Sequence, residues 1–155
     1  MYDDILVPTD GSETAEAAVD QAVDLAEKYG ATVHALYVVD VDATNLALGT
    51  EQVERVRRGD LDEMPEVKAK ADEATGYVAD AAAERGIAVE EHVTAGSPAR
   101  AIRKFVEDND VDLVVMGSHG RSGLSRVVLG SVAEKVLRRT RLPVLVVDVH
   151  GDHVE

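Results

Sequence analysis

The feature that most constrains the fold is a regular alternation of short apolar runs with segments of helical periodicity. The apolar runs predict five strands, at 4–7, 32–39, 87–95, 111–117 and 143–149. The segments between them predict helices at 12–29, from about 65 to 86, from 97 onward and at 131–140. Strands that are apolar on both faces and alternate with helices are typical of a parallel sheet covered on both sides. The sequence therefore predicts a five-stranded parallel α/β fold.

The length of 155 residues is typical of one domain, which we take as 1–155. Residues 40–62 are polar and irregular and are predicted to form a mobile loop or helix, and 150–155 a frayed polar tail. If the chain winds outward through strands two and three and then returns to add four and five, the strand order is 3-2-1-4-5, as in Rossmann-like folds. Strands one and four are then neighbours, and ligands of such sheets bind at the carboxyl ends of the strands where the winding reverses.

The charge of the chain excludes several classes of partner. Thirty acidic and sixteen basic residues give a net charge of −14, which argues against a nucleic acid or an anionic membrane. No apolar run approaches the roughly 20 residues that span a bilayer, and the acidic first ten residues do not resemble a signal peptide. The absence of cysteine fits a reducing compartment, so we expect a cytoplasmic location. An acidic, lysine-poor surface suits a halophilic protein, with an ordinary acidic cytosolic protein as the alternative.

Two segments follow predicted strands one and four: PTDGS at 8–12 and GSHGRSGLSRVVLGS at 117–131. Glycine lets backbone amides approach a ligand and a helix start favours negative charge, so a phosphate is a candidate ligand of the second segment. This segment matches neither a P-loop, since no Gly-Lys-Ser/Thr occurs, nor the Rossmann GxGxxG pattern. Ser131 and Glu134 also fit a helix capping box, which is a purely structural explanation. From the residues alone, both interpretations stay open.

The spacing Gly117-x2-Gly120-x9-Gly130-Ser131 resembles the nucleotide-binding signature of the universal stress protein family, G-2x-G-9x-G(S/T). The opening ILVPTDGSETAEAA and the closing LPVLVV resemble the same family, and only 40–62 and the last few residues lie outside the similarity. The resemblance implies an adenine nucleotide alpha hydrolase-like fold and an ATP site in the family's ATP-binding branch.

The resemblance also implies roles for individual residues. Asp10 matches the acid that approaches ribose and a metal, here Mg²⁺, and Val38 matches a position whose backbone contacts adenine. Phosphate contacts are implied for Gly120, Gly130, Ser131 and Val132, and Gly130→Val is expected to block them while leaving the fold largely intact. The full ATP site expected on this basis is Pro8, Thr9, Asp10, Val38, Met116, Gly117, Ser118, His119, Gly120, Gly130, Ser131 and Val132.

Several of these residues have simpler explanations. Asp10 is spaced to cap the first helix, with Glu13 three residues on. We interpret His119 as a solvated loop histidine, with a general base as the alternative. The tail residues His150, Asp152 and His153 could bind a metal, although a frayed tail is the simpler interpretation.

The leading hypothesis is an ATP-binding, nucleotide-dependent stress-response or regulatory module. One alternative is a slow ATPase or phosphotransferase, although no serine–histidine–acid constellation is evident. Another is an interaction domain that keeps the motif without binding nucleotide.

The last predicted strand, Pro143–Val149, lies at one edge of the sheet and is apolar on both faces over 144–147. Exposed strand edges of this kind are usually covered in natural proteins, so we expect a homodimer that pairs this strand with its copy. The resemblance implies the same dimer. A monomer protected by Pro143 and Asp148 is the alternative.

Overall fold

The sheet has the strand order β3-β2-β1-β4-β5, and all of its neighbouring strands are parallel. The structure is a computed structural model that describes residues 1–40, 51, 54–55, 58, 61, 64–119 and 129–148. Its strands are β1 (Asp4–Pro8), β2 (Thr32–Asp40), β3 (Val89–Gly96), β4 (Leu113–Gly117) and β5 (Val144–Val147). Its helices are α1 (Glu13–Tyr29), α2 (Pro65–Ala83), α3 (Pro98–Asp108) and α4 (Ser131–Arg139). The predicted strand order and fold class are confirmed.

The helices begin and end where local chemistry favours it. The Ser12 hydroxyl accepts a hydrogen bond from the Ala15 N–H at 3.2 Å and caps α1, which ends at Gly30 in the left-handed conformation with φ 70°. Proline occupies the first position of α2 and α3, where the missing N–H costs nothing. Ser97 is the N-cap residue of α3, but its side chain makes no capping hydrogen bond.

Two apolar layers cover the two faces of the sheet. Successive strand residues point to opposite faces, so Ile5 and Val7 of β1 pack on α1 while Leu6 joins the layer of α3 and α4. Both layers consist mainly of valine, leucine, isoleucine and alanine, as the low aromatic content predicts. Since residues 5–7 are fully buried, β1 lies at the centre of the molecule.

Three of the predicted strands are shorter in the structure than in the sequence analysis. The third begins at Val89 instead of residue 87, because the Ile87 N–H donates to Ala82 O at 3.0 Å and closes the turn after α2. The fourth begins at Leu113, and the fifth covers Val144–Val147 within the described residues.

The predicted loop or helix at 40–62 and the predicted tail at 150–155 lie almost entirely outside the described residues. Leu61 is described, and it is buried with Val39 and Val67 under the start of α2. Among the helices of the described residues, none combines the length and hydrophobicity needed to cross a membrane.

Candidate functional site

The loops after β1 and β4 emerge side by side. Ile5 pairs with Leu113 and Leu6 with Val114, so these two strands are direct neighbours, as predicted. From this pair the sheet extends through β2 and β3 on one side and through β5 on the other. The winding therefore reverses between β1 and β4, which is where open parallel sheets bind ligands.

The first loop is held by short-range hydrogen bonds. Thr9 is buried; its N–H donates to Leu36 O at 2.9 Å, and its hydroxyl accepts from the Gly11 N–H at 3.2 Å. Gly11 has φ 79°, a conformation that favours glycine. Asp10 Oδ1 accepts from the Ser12 N–H at 2.9 Å, so this carboxylate shapes the loop. The helix-capping explanation of Asp10 is wrong, because Ser12 is the N-cap residue of α1.

Ser118 anchors the second loop. Its N–H donates to Val147 O at 2.8 Å, and its carbonyl accepts from the Gly130 N–H at 2.7 Å. Its hydroxyl donates to Asp148 Oδ1 at 2.8 Å. Since the side chain is also buried, Ser118 fixes the position of α4 relative to the ends of β4 and β5.

His119 joins the second loop to the first turn of α1. Its Nε2 lies 3.2 Å from the hydroxyl of the buried Thr14, in the first turn of α1. Its Nδ1 lies 3.1 Å from Ser118 Oγ. The side chain is only 15% exposed, so the interpretation of His119 as a solvated loop histidine is wrong.

These contacts assign a direction to the hydrogen bonds. The Ser118 hydroxyl donates its one proton to Asp148. Toward His119 it therefore acts as the acceptor, and His119 Nδ1 carries the N–H that donates to it. His119 Nε2 then accepts from the Thr14 hydroxyl. The structure thus brings a serine, a histidine and an acid together, which the sequence analysis did not foresee. The acid bonds the serine, however, and lies 3.8 Å from His119 Nδ1, so this is not the arrangement of a hydrolase triad.

Two glycines lie where the backbone at the end of β4 and at the start of α4 packs closely against neighbouring residues. A Cβ on Gly117, the last residue of β4, would lie 2.8 Å from Thr14 Cγ2. A Cβ on Gly130 would lie 3.0 Å from His119 Cα and 3.1 Å from Ser118 O. Gly130→Val therefore requires the backbone of residues 118 and 119 to move by a few tenths of an ångström, and its small effect on the fold stays a prediction.

Helix α4 begins beside the loop. Gly130 is its N-cap residue, and the Glu134 N–H donates to Gly130 O at 3.0 Å as the first helical hydrogen bond. Ser131 is consequently the first helical residue, and the predicted Ser131–Glu134 capping box is wrong. The first-turn N–H groups of a helix have no partner within the helix, so the start of α4 is suited to an anion.

The other predicted residues occupy distinct places. Pro8 is the last residue of β1, and Met116 is buried in the layer beneath α3 and α4. Val38 is half-buried and precedes the end of β2 by two residues. Val132 packs at the edge of the same layer as Met116. Gly120, like Arg121 and Arg126, lies outside the described residues.

Thr14 and Asp148 are the two residues of this site that the sequence analysis missed. Asp148 directly follows an apolar strand, and an acid at the carboxyl end of such a strand is a recognisable signal. Thr14 gives no comparable signal, since its contact with His119 joins positions 105 residues apart.

The fold and the paired loops define a doubly wound α/β protein with a candidate ligand site at its switch point. The family model described as the universal stress protein family matches residues 1–148. The chain belongs to the universal stress protein family.

Individual relatives agree with this assignment. Universal stress protein MJ0531 of Methanocaldococcus jannaschii is 38% identical over 148 residues, which cover 95% of this chain and 82% of that protein. Universal stress protein MJ0577 of the same organism is 35% identical over 160 residues, or 95% of each chain. The solved structure of MJ0577 matches with a TM-score of 0.74 at 30% identity and covers 98% of this chain and 99% of that one. A universal stress protein solved in complex with cAMP matches with a TM-score of 0.67 at 25% identity, over 95% of this chain and 97% of that one.

Proposed function

We propose that this protein is a nucleotide-dependent stress-response or regulatory module that binds ATP at the switch point. The observation that carries the proposal is the buried Gly130 at the start of α4, held against the loop after β4, which emerges beside the loop after β1. A helix start beside a glycine-lined loop supplies backbone N–H groups for phosphate oxygens without a lysine. The cAMP-bound relative supports an adenine nucleotide as the ligand class.

In this proposal the phosphates lie at Gly120, at the N-cap residue Gly130 and at the first helical residues Ser131 and Val132. The adenine lies against the backbone at Val38. Asp10, half-buried after β1, approaches the ribose and Mg²⁺, because Mg²⁺ takes one or two carboxylates together with phosphate oxygens.

We propose that the protein binds ATP and does not hydrolyse it at a catalytic rate. A general base needs a nitrogen that can accept a proton from the attacking group. His119 Nε2 already accepts from Thr14, and Nδ1 faces Ser118. Both ring nitrogens of this histidine are therefore engaged in hydrogen bonds that join the loop after β4 to α1, and we assign it a structural role. A protein that releases phosphate at a catalytic rate would contradict this part of the proposal.

The experiment that tests nucleotide binding uses Ser131, which is exposed at the first position of α4. Ser131→Glu places a negative charge beside the proposed phosphates, whereas at a helix start the same charge stabilises the fold by about 0.3–1 kcal/mol. Calorimetry with Mg²⁺-ATP should show at least a tenfold loss of affinity for Ser131→Glu and a clearly smaller loss for the neutral control Ser131→Gln. Equal affinity in all three proteins would place the phosphates elsewhere, and no binding by the parent would favour the interaction-domain alternative.

The proposal includes a homodimer through β5 and a cytoplasmic location. Strand β5 is an edge strand, and Leu145 is 37% exposed on it. The absence of cysteine supports the location, since thiols and disulfides then play no part in stability.

A further inference from the structure

Two histidines and a glutamate converge on the sheet face covered by α3, away from the site described above. His34 is the third residue of β2, and Glu90 and His92 are the second and fourth residues of β3. In the register of these strands, His34 pairs with Glu90 and Leu36 with His92. Since residues two apart on a strand point to the same face, the three side chains share one face near the amino ends of the strands.

The three ligand atoms form a compact triangle. His34 Nδ1 lies 3.3 Å from His92 Nε2 and 3.9 Å from Glu90 Oε1, and His92 Nε2 lies 3.7 Å from the same oxygen. The two distances to Glu90 are too long for hydrogen bonds but suit ligands on adjacent positions around one ion. The point in the plane of the three atoms that is equidistant from them lies about 2.1 Å from each, which matches the usual Zn–N and Zn–O bond lengths.

A carboxylate orients the buried member of the triangle. His34 Nε2 lies 2.9 Å from Asp4 Oδ1, so this nitrogen carries the proton and donates it to the carboxylate. The lone pair of His34 Nδ1 then faces His92 and Glu90. Metal-binding histidines usually donate their other N–H to a carboxylate in this way, and the carboxylate fixes the tautomer and the ring orientation.

One side of the cluster is covered by protein, and the other side faces solvent. The side chain of His34 is 8% exposed, and the Phe105 ring of α3 lies 5.7 Å from the His34 ring and 4.7 Å from the His92 ring between centroids. Glu90, by contrast, is 61% exposed, so an ion bound here would face solvent.

We propose that His34, His92 and Glu90 bind one divalent transition-metal ion of the Zn²⁺ class, with Asp4 as the positioning residue of His34. Two imidazole nitrogens and one carboxylate oxygen are a usual ligand set for Zn²⁺ with a further position open to water. The ion joins β2 to the edge strand β3 and therefore stabilises the folded chain. The proposal is independent of nucleotide binding, because Gly117 and Gly130 lie at the carboxyl ends of the strands and this cluster lies near the amino ends.

The test is Zn²⁺ binding to the full chain after treatment with EDTA and dialysis. Because His150 and His153 of the tail could also bind Zn²⁺, both are first replaced by glutamine. In this background, calorimetry and elemental analysis should find one Zn²⁺ per chain. His92→Gln should weaken binding at least 100-fold. Asp4→Asn keeps a hydrogen-bond acceptor but loses the charge and should weaken binding tenfold to 100-fold, as for other carboxylates behind metal-bound histidines.

Glu90→Gln keeps the proposal testable if the histidine variant fails to fold. This side chain is exposed, so the variant should unfold at the same temperature as its background without metal. Saturating Zn²⁺ should raise the unfolding temperature of the background and raise that of Glu90→Gln much less, since a ligand stabilises only the state it binds. Equal Zn²⁺ affinity in the background and both cluster variants would overturn the proposal. Loss of all binding with the tail histidines would overturn it as well.

Discussion

The main-chain N–H of Gly130 donates to the carbonyl oxygen of Ser118 at 2.7 Å, so the two flanks of segment 119–129 are joined directly. Gly130 is favoured here by packing and not by backbone conformation, because its φ is −64° while a Cβ would lie 3.0 Å from His119 Cα. The glycine of the motif therefore has a structural role in addition to any contact with phosphate.

The first prediction is that Gly130→Ala destabilises the protein. The added methyl group must push the backbone of residues 118 and 119, and overpacking of this kind costs about 1–3 kcal/mol. Gly76 is the matched control, since a Cβ at this helical position meets nothing within 4 Å. Gly76→Ala should stabilise the protein by about 0.5–1 kcal/mol. Urea unfolding measures the change in the free energy of unfolding for both variants. A Gly130→Ala protein as stable as the parent would show that the loop backbone moves without cost in free energy.

The sheet could be predicted because its signals are local. Apolar runs give the strands, helical spacing gives the connections, and the parallel winding leaves few possible strand orders. The loop chemistry of the candidate site was predictable in residue type for the same reason, since Asp10, Gly117 and Gly130 stand next to predicted strand or helix ends.

The features that the sequence did not predict depend on contacts between distant residues. Ser131 and Glu134 have the spacing of a capping box, yet α4 begins after Gly130, whose N–H makes a long-range hydrogen bond to Ser118. His34 and His92 lie in two apolar runs 58 positions apart, and only the register of β2 and β3 shows that they meet. Asp148 was interpreted as a charge that protects the sheet edge, whereas it also accepts a hydrogen bond from Ser118.

The second prediction concerns salt. With a net charge of −14, the protein repels a polyanion at long range, and salt screens this repulsion more than it weakens close contacts with backbone N–H groups and Mg²⁺. We expect the affinity for Mg²⁺-ATP to stay constant or to rise between low and molar KCl. Calorimetry over this range measures it. A steep fall in affinity would show that exposed arginines dominate binding.

The third prediction concerns alkaline pH. Burial raises the pKa of the Tyr77 hydroxyl above 10.0, and the charges of Asp20 and Glu16 act in the same direction. The folded protein therefore keeps this proton at a pH where the unfolded chain has lost it. Stability is unaffected below about pH 10, the usual tyrosine value, and falls as the pH rises through the higher folded pKa. Tyr77→Phe keeps the ring and removes the titrating group, so it should lose less stability than the parent above about pH 10. Urea unfolding at pH 8 and at about pH 10.5 measures the stability of both proteins. An equal loss of stability in the parent and in Tyr77→Phe between these two pH values would contradict the prediction.

The last prediction concerns the proposed homodimer. Strand β5 pairs with β4 on one side, and no strand of the described residues pairs with its other side. Val146 lies in the middle of the apolar run, but it is half-buried and pairs with Met116, so Val146→Lys would also disturb the monomer. Leu145 is 37% exposed, and Leu145→Lys places a charge in the proposed seam at little cost to the fold.

Ala88 is the matched control, since it is exposed beside β3 at the opposite edge of the sheet and Ala88→Lys adds the same charge. Light scattering at micromolar concentration and high salt should give twice the chain mass for the parent and for Ala88→Lys. Leu145→Lys should give one chain mass and keep its affinity for ATP, because the nucleotide loops belong to each chain separately. A parent of one chain mass contradicts the dimer, and a Leu145→Lys dimer places the interface on another surface.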